Sequence, residues 1–289
     1  MGVAIKVSKA SGTKVYMDGA LRGENEINLI STEIPYMFVD GCVVLYKGEI
    51  HILGSSITAN NRKHYKFNGT SWVSVSTIPI ILNQGCAVVY DDAIHIFNST
   101  NHYKWDGTEW TSVSTNPMSV ENSKAVVFNN AIYILGSNAV YNYNAFYKWD
   151  GSSWTNMNNT PYDFRNGSAV VYDNAIHILG CSYNDSNTKH YKWNGSAWSS
   201  VSTLPMAHKY GDAVVYDGKI YIMGGVDADS FKYAYWNGSS WSEIGELSVS
   251  LYRGRAIVNN NVISYLCGLY GGKTIARMGV KLYGSLTVL

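Results

Sequence analysis

The sequence predicts an all-β chain in which four-stranded units repeat and close into a ring. Three observations predict it. A short motif recurs as Tyr65-Lys66-Phe67-Asn68-Gly69-Thr70-Ser71-Trp72 and again at 103–110, 147–154 and 191–198, with a worn copy at 235–241. All nine tryptophans lie in these copies, and the closing ones fall at 72, 110, 154, 198 and 241, in steps of 38, 44, 44 and 43. The prolines keep the same phase. Pro79, Pro117, Pro161 and Pro205 each follow a closing tryptophan by seven residues, and Pro35 precedes Pro79 by 44. A fixed period of this length marks a stack of identical supersecondary units.

Each unit reads as four strands, a to d. Strand a is the Val-Val-Tyr run, as at Val214-Val215-Tyr216, and strand b is the Ile-His/Tyr-Ile-Leu-Gly run. The pair between them, Asp91-Asp92, Asn129-Asn130 or Asp217-Gly218, is of the types that tolerate positive φ in a two-residue hairpin. Tyr-Lys-Trp is strand c. The Asn-Gly or Asp-Gly after it is a strong hairpin signal. Trp-x-x-Val is strand d, and the proline ends it because proline cannot continue a ladder. One such unit leaves much of its apolar face uncovered, and stacking around an axis buries it. The expectation is therefore a six-bladed β-propeller with four-stranded blades, as one domain over 1–289. The repeats run about 36–80, 81–118, 119–162, 163–206 and 207–250, with a closing blade from 1–35 plus 251–289. In that blade the inner strands come from a degraded copy at 256–268 and the outer strands from about 14–31. Extra strands are expected at 3–8 and 280–289.

The segment Val214-Val215-Tyr216-Asp217-Gly218-Lys219-Ile220-Tyr221-Ile222-Met223-Gly224-Gly225, followed by Trp241, resembles the kelch repeat. The resemblance covers about residues 36–268 and implies the propeller fold. The chain departs from the kelch pattern in one way. The glycine pair survives only at Gly224-Gly225. It is Gly54-Ser55, Gly136-Ser137 or Gly180-Cys181 elsewhere, and one repeat has Asn98.

Charge and composition narrow the function. Charged residues make up 15% and the formal net charge is +1, so no electrostatic footprint for nucleic acid or an anionic membrane exists. No apolar run is long enough to span a bilayer, and residues 1–10 lack the apolar core of a secretory signal. The expected location is a virion or the cytoplasm of the producing cell. Cys42, Cys86, Cys181 and Cys267 lack C-x-x-C spacing and read as buried free thiols. Gly271-Gly272-Lys273-Thr274 ends like a P-loop, but Cys267 stands where the first glycine is required. His51, His95 and His177 share one place on strand b, where Tyr133 and Tyr221 stand in other repeats. That substitution favours an inter-blade packing position with a polar tip over a metal ring. No catalytic constellation, metal site or cofactor is expected.

Strand direction separates two faces. Turns a–b and c–d share one face and are uniformly short. The b–c loops and d–a linkers share the other, and they vary. Variable loops on a rigid scaffold commonly carry function. The candidate ligand-binding residues on that face are Arg165, Lys209, Tyr210, Tyr252, Arg253, Arg255, Asn122 and Asn166. An uncharged chain rich in Asn, Ser, Thr and Tyr with near-identical repeats is similar to bacteriophage virion proteins of the tail, neck or fibre kind. The expected function is a non-enzymatic binding or structural module, with other proteins of an assembly or a surface glycan as partner. The rival expectation is a carbohydrate-active enzyme resembling kelch-type sugar isomerases or oxidases.

Overall fold

The structure is a computed structural model. It describes residues 16–17, 20–21, 27–30, 34–136, 143–181, 187–242, 245–246, 250–260, 262–268 and 277–283. The chain forms antiparallel sheets around an axis, each beginning with its innermost strand. The first sheet shows the plan: Cys42–Tyr46, Glu49–Leu53, Lys63–Phe67 and Trp72–Thr77 pair in sequence order. The turns are as the residue types require. Asp91 and Asp92 have φ of 48° and 55°, and Asn129 and Asn130 have 45° and 53°, the mirror-image geometry that matches strand twist. At the c–d hairpins the Asn or Asp side chain caps its own turn. Asn68 Oδ1 accepts from the backbone N–H of Thr70 and Ser71 at 2.9 Å each, and Asp150 Oδ1 accepts from Ser152 and Ser153 at 2.8 Å each.

Five four-stranded blades are present rather than the six expected. The repeat with the short step instead makes a three-stranded sheet of Cys86–Tyr90, Ala93–Trp105 and Trp110–Val120. The reason lies at one position. In the third sheet Gly136 ends strand b with φ of 76°, and a Cβ there would run into the carbonyl of Phe164, so only glycine fits. Asn98 stands at that place in the second repeat, the b–c loop is cut to almost nothing, and strands b and c run on as one 13-residue strand.

The closing sheet also differs from expectation. Its order is Arg255–Asn259, Val262–Gly268, Arg277–Tyr283 and Ile27–Ile30. Among the described residues the N-terminal part supplies only the outermost strand. The third strand comes from the C-terminal part, which carries no Tyr-Lys-Trp motif to announce it. A two-stranded pairing of Tyr16–Met17 with Ala20–Leu21 lies apart from this sheet. Residues 3–8 and 271–274 lie outside the described residues.

The innermost strands of neighbouring sheets touch all the way round, from Cys42–Tyr46 through Arg255–Asn259 and back. Each sheet-to-sheet interface holds one apolar cluster. Ile34, Tyr36, Phe38 and Ile52 with Leu266 fill the one that joins the two ends of the chain. On the turn face, tyrosines reach across: Tyr46 Oη donates to the carbonyls of Asp92 (2.9 Å) and Asp106 (3.0 Å), and Tyr172 Oη donates to Gly218 (3.0 Å). Cys42, Cys86 and Cys181 are buried and form no disulfide among the described residues, and the side chain of Cys267 is outside the described set. Among the described residues no helix is long and apolar enough to cross a membrane.

Candidate functional site

The d–a linkers converge on the axis at one mouth of the channel. Six residues there, Asp40, Gln84, Asn122, Asn166, Tyr210 and Arg253, have left-handed backbones with φ between 51° and 60°. Their main chains are linked into a closed ring. Asp40 N–H donates to Arg253 C=O, Arg253 to Tyr210, Tyr210 to Asn166, Asn166 to Asn122, Asn122 to Gln84, and Gln84 to Asp40, at 2.8–3.2 Å. Every link runs from one sheet to the sheet before it. The seam link from Asp40 to Arg253, at 3.0 Å, falls within the range of the others. Arg253 Nη1 also donates to Asp40 Oδ2 at 2.7 Å across that seam.

Each ring residue is followed by a glycine, or by Ser123, and then by the first residue of an innermost strand. Those third positions are Cys42, Cys86, Lys124, Ser168, Asp212 and Arg255. The small residue is required by crowding: a Cβ on Gly211 would sit 2.6 Å from the carbonyl oxygen of Met223. The triplet thus places a ring of varied polar side chains just below the backbone ring.

The lower ring holds a charged cluster. Lys124 Nζ lies 3.5 Å from Asp212 Oδ1, and both side chains are almost buried. Asp212 Oδ2 accepts from Ala256 N–H at 2.8 Å. Arg255 Nη1 donates to the carbonyl of Gly254 at 2.8 Å. Burial, then the Arg255 guanidinium, pulls the Lys124 ammonium below its ordinary range. Burial pushes the Cys42 thiol up to about 11, against the pull of Arg255 and Lys124, and holds Cys86 well above its usual value. Both thiols are therefore neutral and unreactive near pH 7. Ser168 Oγ hydrogen-bonds His208 Nε2 at 2.8 Å, and burial lowers His208 to about 4.

A pocket of about 10 Å3 opens at this mouth, lined by five of the ring residues and by Ser123, Lys124, Gly211 and Arg255. That is room for about one water molecule.

The structure brings Asn122, Asn166, Tyr210 and Arg253 into the ring and puts Arg255 beneath it. Tyr252 joins them at the surface: its ring meets Tyr210 edge-on at 5.8 Å, and its Oη accepts from Arg253 Nε at 2.8 Å. The Arg253 guanidinium lies 4.4 Å from the Tyr210 centroid. Lys209 flanks Tyr210 and makes no ion pair among the described residues. Arg165 lies outside the pocket. It stacks on Tyr143 at 3.6 Å and pairs with Asp163 at 3.2 Å. Asp40, Gln84, Lys124 and Asp212 belong to the mouth and were not singled out from sequence. Among the described residues no three His, Cys, Asp or Glu side chains gather as metal ligands.

Fold and mouth together define a β-propeller with four-stranded antiparallel blades. The solved structure of YjhT is similar to this chain with a TM-score of 0.77 at 14% identity, covering 89% of this chain and 97% of that one. At that identity the likeness carries the fold alone. No protein-family model matches the chain, and no curated protein matches it by sequence.

Proposed function

We propose that this chain is a non-enzymatic binding module. Its recognition surface is the Tyr210–Tyr252–Arg253 edge of the axial mouth. The observation that carries the reading is a backbone misfit. Asn122 and Asn166 are residues that tolerate a left-handed backbone, but Tyr210 and Arg253 hold the same conformation at φ of 60° and 54°. A bulky side chain kept in that region stores on the order of 1–2 kcal/mol of strain. Strain of this kind concentrates where a side chain is needed. Two tyrosine rings and a guanidinium on a nearly neutral surface suit a hydroxyl-rich glycan, by ring stacking and charge-assisted hydrogen bonds. The backbone ring and the water-sized pocket favour binding on the mouth over entry of a sugar into the channel for catalysis.

The kelch-like repeat and the phage-like composition support a place in a bacteriophage virion, where a surface glycan is a natural target. The test is a glycan array with the intact chain, repeated with Tyr210→Asn and Tyr252→Ala. Tyr210→Asn keeps the ring and removes the aromatic face. The expected result is a bound neutral glycan whose affinity falls at least tenfold in both variants, with melting temperature unchanged or raised. Sugar turnover by the chain, or glycan binding indifferent to both substitutions, would overturn the reading. Co-purification with particles tests the virion setting separately.

A further inference from the structure

We infer that the axial pocket binds one small monatomic anion of the halide class, held between Lys124 and Arg255 beneath the backbone ring. The argument starts from charge. The buried cluster holds two cations, Lys124 and Arg255, and one carboxylate, Asp212. The other carboxylate at the mouth, Asp40, is taken by Arg253 at 2.7 Å. The neighbouring titratable groups are neutral: the thiols of Cys42 and Cys86 are raised by burial and His208 is lowered by it. With Lys124 protonated, which burial and the Arg255 guanidinium oppose, one positive charge is left over in a desolvated site. Such a charge is expensive unless an opposite charge joins it.

Geometry then selects the ligand. Lys124 and Arg255 both line the pocket, as does Asp40, whose carboxylate is neutralised by Arg253, whereas Asp212 does not line it. Asp212 is turned to Lys124 and to the Ala256 N–H. Asn122 also lines the pocket, and its buried Oδ1 has no partner. A half-turn of that amide presents N–H donors to the same space. A volume of about 10 Å3 is room for about one monatomic or water-sized body, so an oxyanion such as sulfate or a carboxylate-bearing molecule is too large. The inference concerns the channel below the ring. It stands whether or not the mouth above binds a glycan.

The experiment compares thermal unfolding of the intact chain in sodium chloride and in sodium gluconate at equal ionic strength, which removes general screening. The expected result is a saturable rise in melting temperature with chloride, as mass action requires for a ligand of the native state, and none with gluconate. Lys124→Met leaves Arg255 balanced by Asp212. It should abolish the chloride rise while keeping the melting temperature seen in gluconate. Asp212→Asn adds a second uncompensated charge and should lower the half-saturating chloride concentration about tenfold. Should a variant fail to fold, chloride-35 NMR line broadening on the unmodified chain reads the site directly. The expected signal is one that saturates at one site per chain and is displaced by bromide. Equal melting behaviour in the two salts, a chloride rise undiminished in Lys124→Met, or no saturable broadening would each overturn the inference.

Discussion

Four interfaces between neighbouring sheets are built around the same stack of rings, and one of the four is apolar. His64, His102 and His190 each meet the edge of a tryptophan of the next sheet at 5.4 Å and 88–89°. Phe146 occupies the same place and meets Trp193 at 5.1 Å and 88°. Behind these rings stand His51, His95 and His177 in the polar interfaces and Tyr133 in the apolar one. The geometry is indifferent to chemistry. The packing position requires a flat ring, and the nitrogens then find each other at 2.7–2.8 Å.

In the first interface the polar groups extend to a chain. Trp110 Nε1 donates to Ser76 Oγ at 2.9 Å, and Ser76 lies 3.0 Å from His64 Nδ1. Neutral imidazoles satisfy every group in it: the hydroxyl donates to His64 Nδ1, and His64 Nε2–H donates to His51 Nδ1. The fourth sheet lacks the serine link, and there His190 Nδ1 and Trp241 Nε1 have no partner. The difference between polar and apolar interfaces is therefore one of pH coupling more than of packing.

The largest expected effect is acid unfolding. Burial lowers His51, His95, His177 and His208 to about 4 and His64, His102 and His190 to about 3. These are all seven histidines of the chain. Their folded values lie below the unfolded 6.5. Their contribution is thus fully present above pH 6.5 and is lost as pH falls toward 3–4. Each unit below 6.5 costs about 1.4 kcal/mol per histidine, so the set approaches the whole stability of a domain, on the order of 5–15 kcal/mol, within about a unit or two. Tryptophan fluorescence against pH should show cooperative unfolding between pH 6.5 and 4. A chain that keeps its native spectrum at pH 4 would break the comparison.

A smaller effect separates the interfaces. The double variant His95→Tyr, His102→Phe copies the Tyr133–Phe146 interface into the second sheet. It should fold, keep its melting temperature at pH 8 within a few degrees, and move the acid midpoint down. A pH-stat measurement should find fewer protons taken up on unfolding at pH 5. Smaller again is Ser114→Ala, which strands His102 Nδ1 and Trp154 Nε1 and should cost about 1–3 kcal/mol in urea unfolding. Ser202→Ala, at the matching place in the fourth sheet, removes only an exposed bond to Thr203. It should change stability by less than about 0.5 kcal/mol.

These interfaces also show where sequence reading stops. The strand plan and the turns were legible because Asp91-Asp92 or Asn68-Gly69 act locally. The histidines were legible as packing positions. Their pairing was not, because His51 and His64 are 13 residues apart and His95 and His102 only 7, and strand register alone brings them together. At the mouth, Asn122, Asn166, Tyr210, Arg253 and Arg255 were visible as linker residues on the variable face. Asp40 and Gln84 were missed because the ring is a main-chain device that six different side chains satisfy. Its signal was present as a triplet, any residue, then a small one, then a polar or thiol residue opening the strand. The third strand of the closing sheet was misplaced because 277–283 shares no motif with its counterparts.

The ring at the mouth has a consequence for change over time. Each of its links joins the main chain of one residue to that of the next, and the circle has no free end. No link depends on a side chain. The six positions are therefore interchangeable sockets: a new residue alters what the surface recognises without unfastening the barrel mouth, at most for the strain of a left-handed backbone. A fold assembled this way can be retargeted one position at a time.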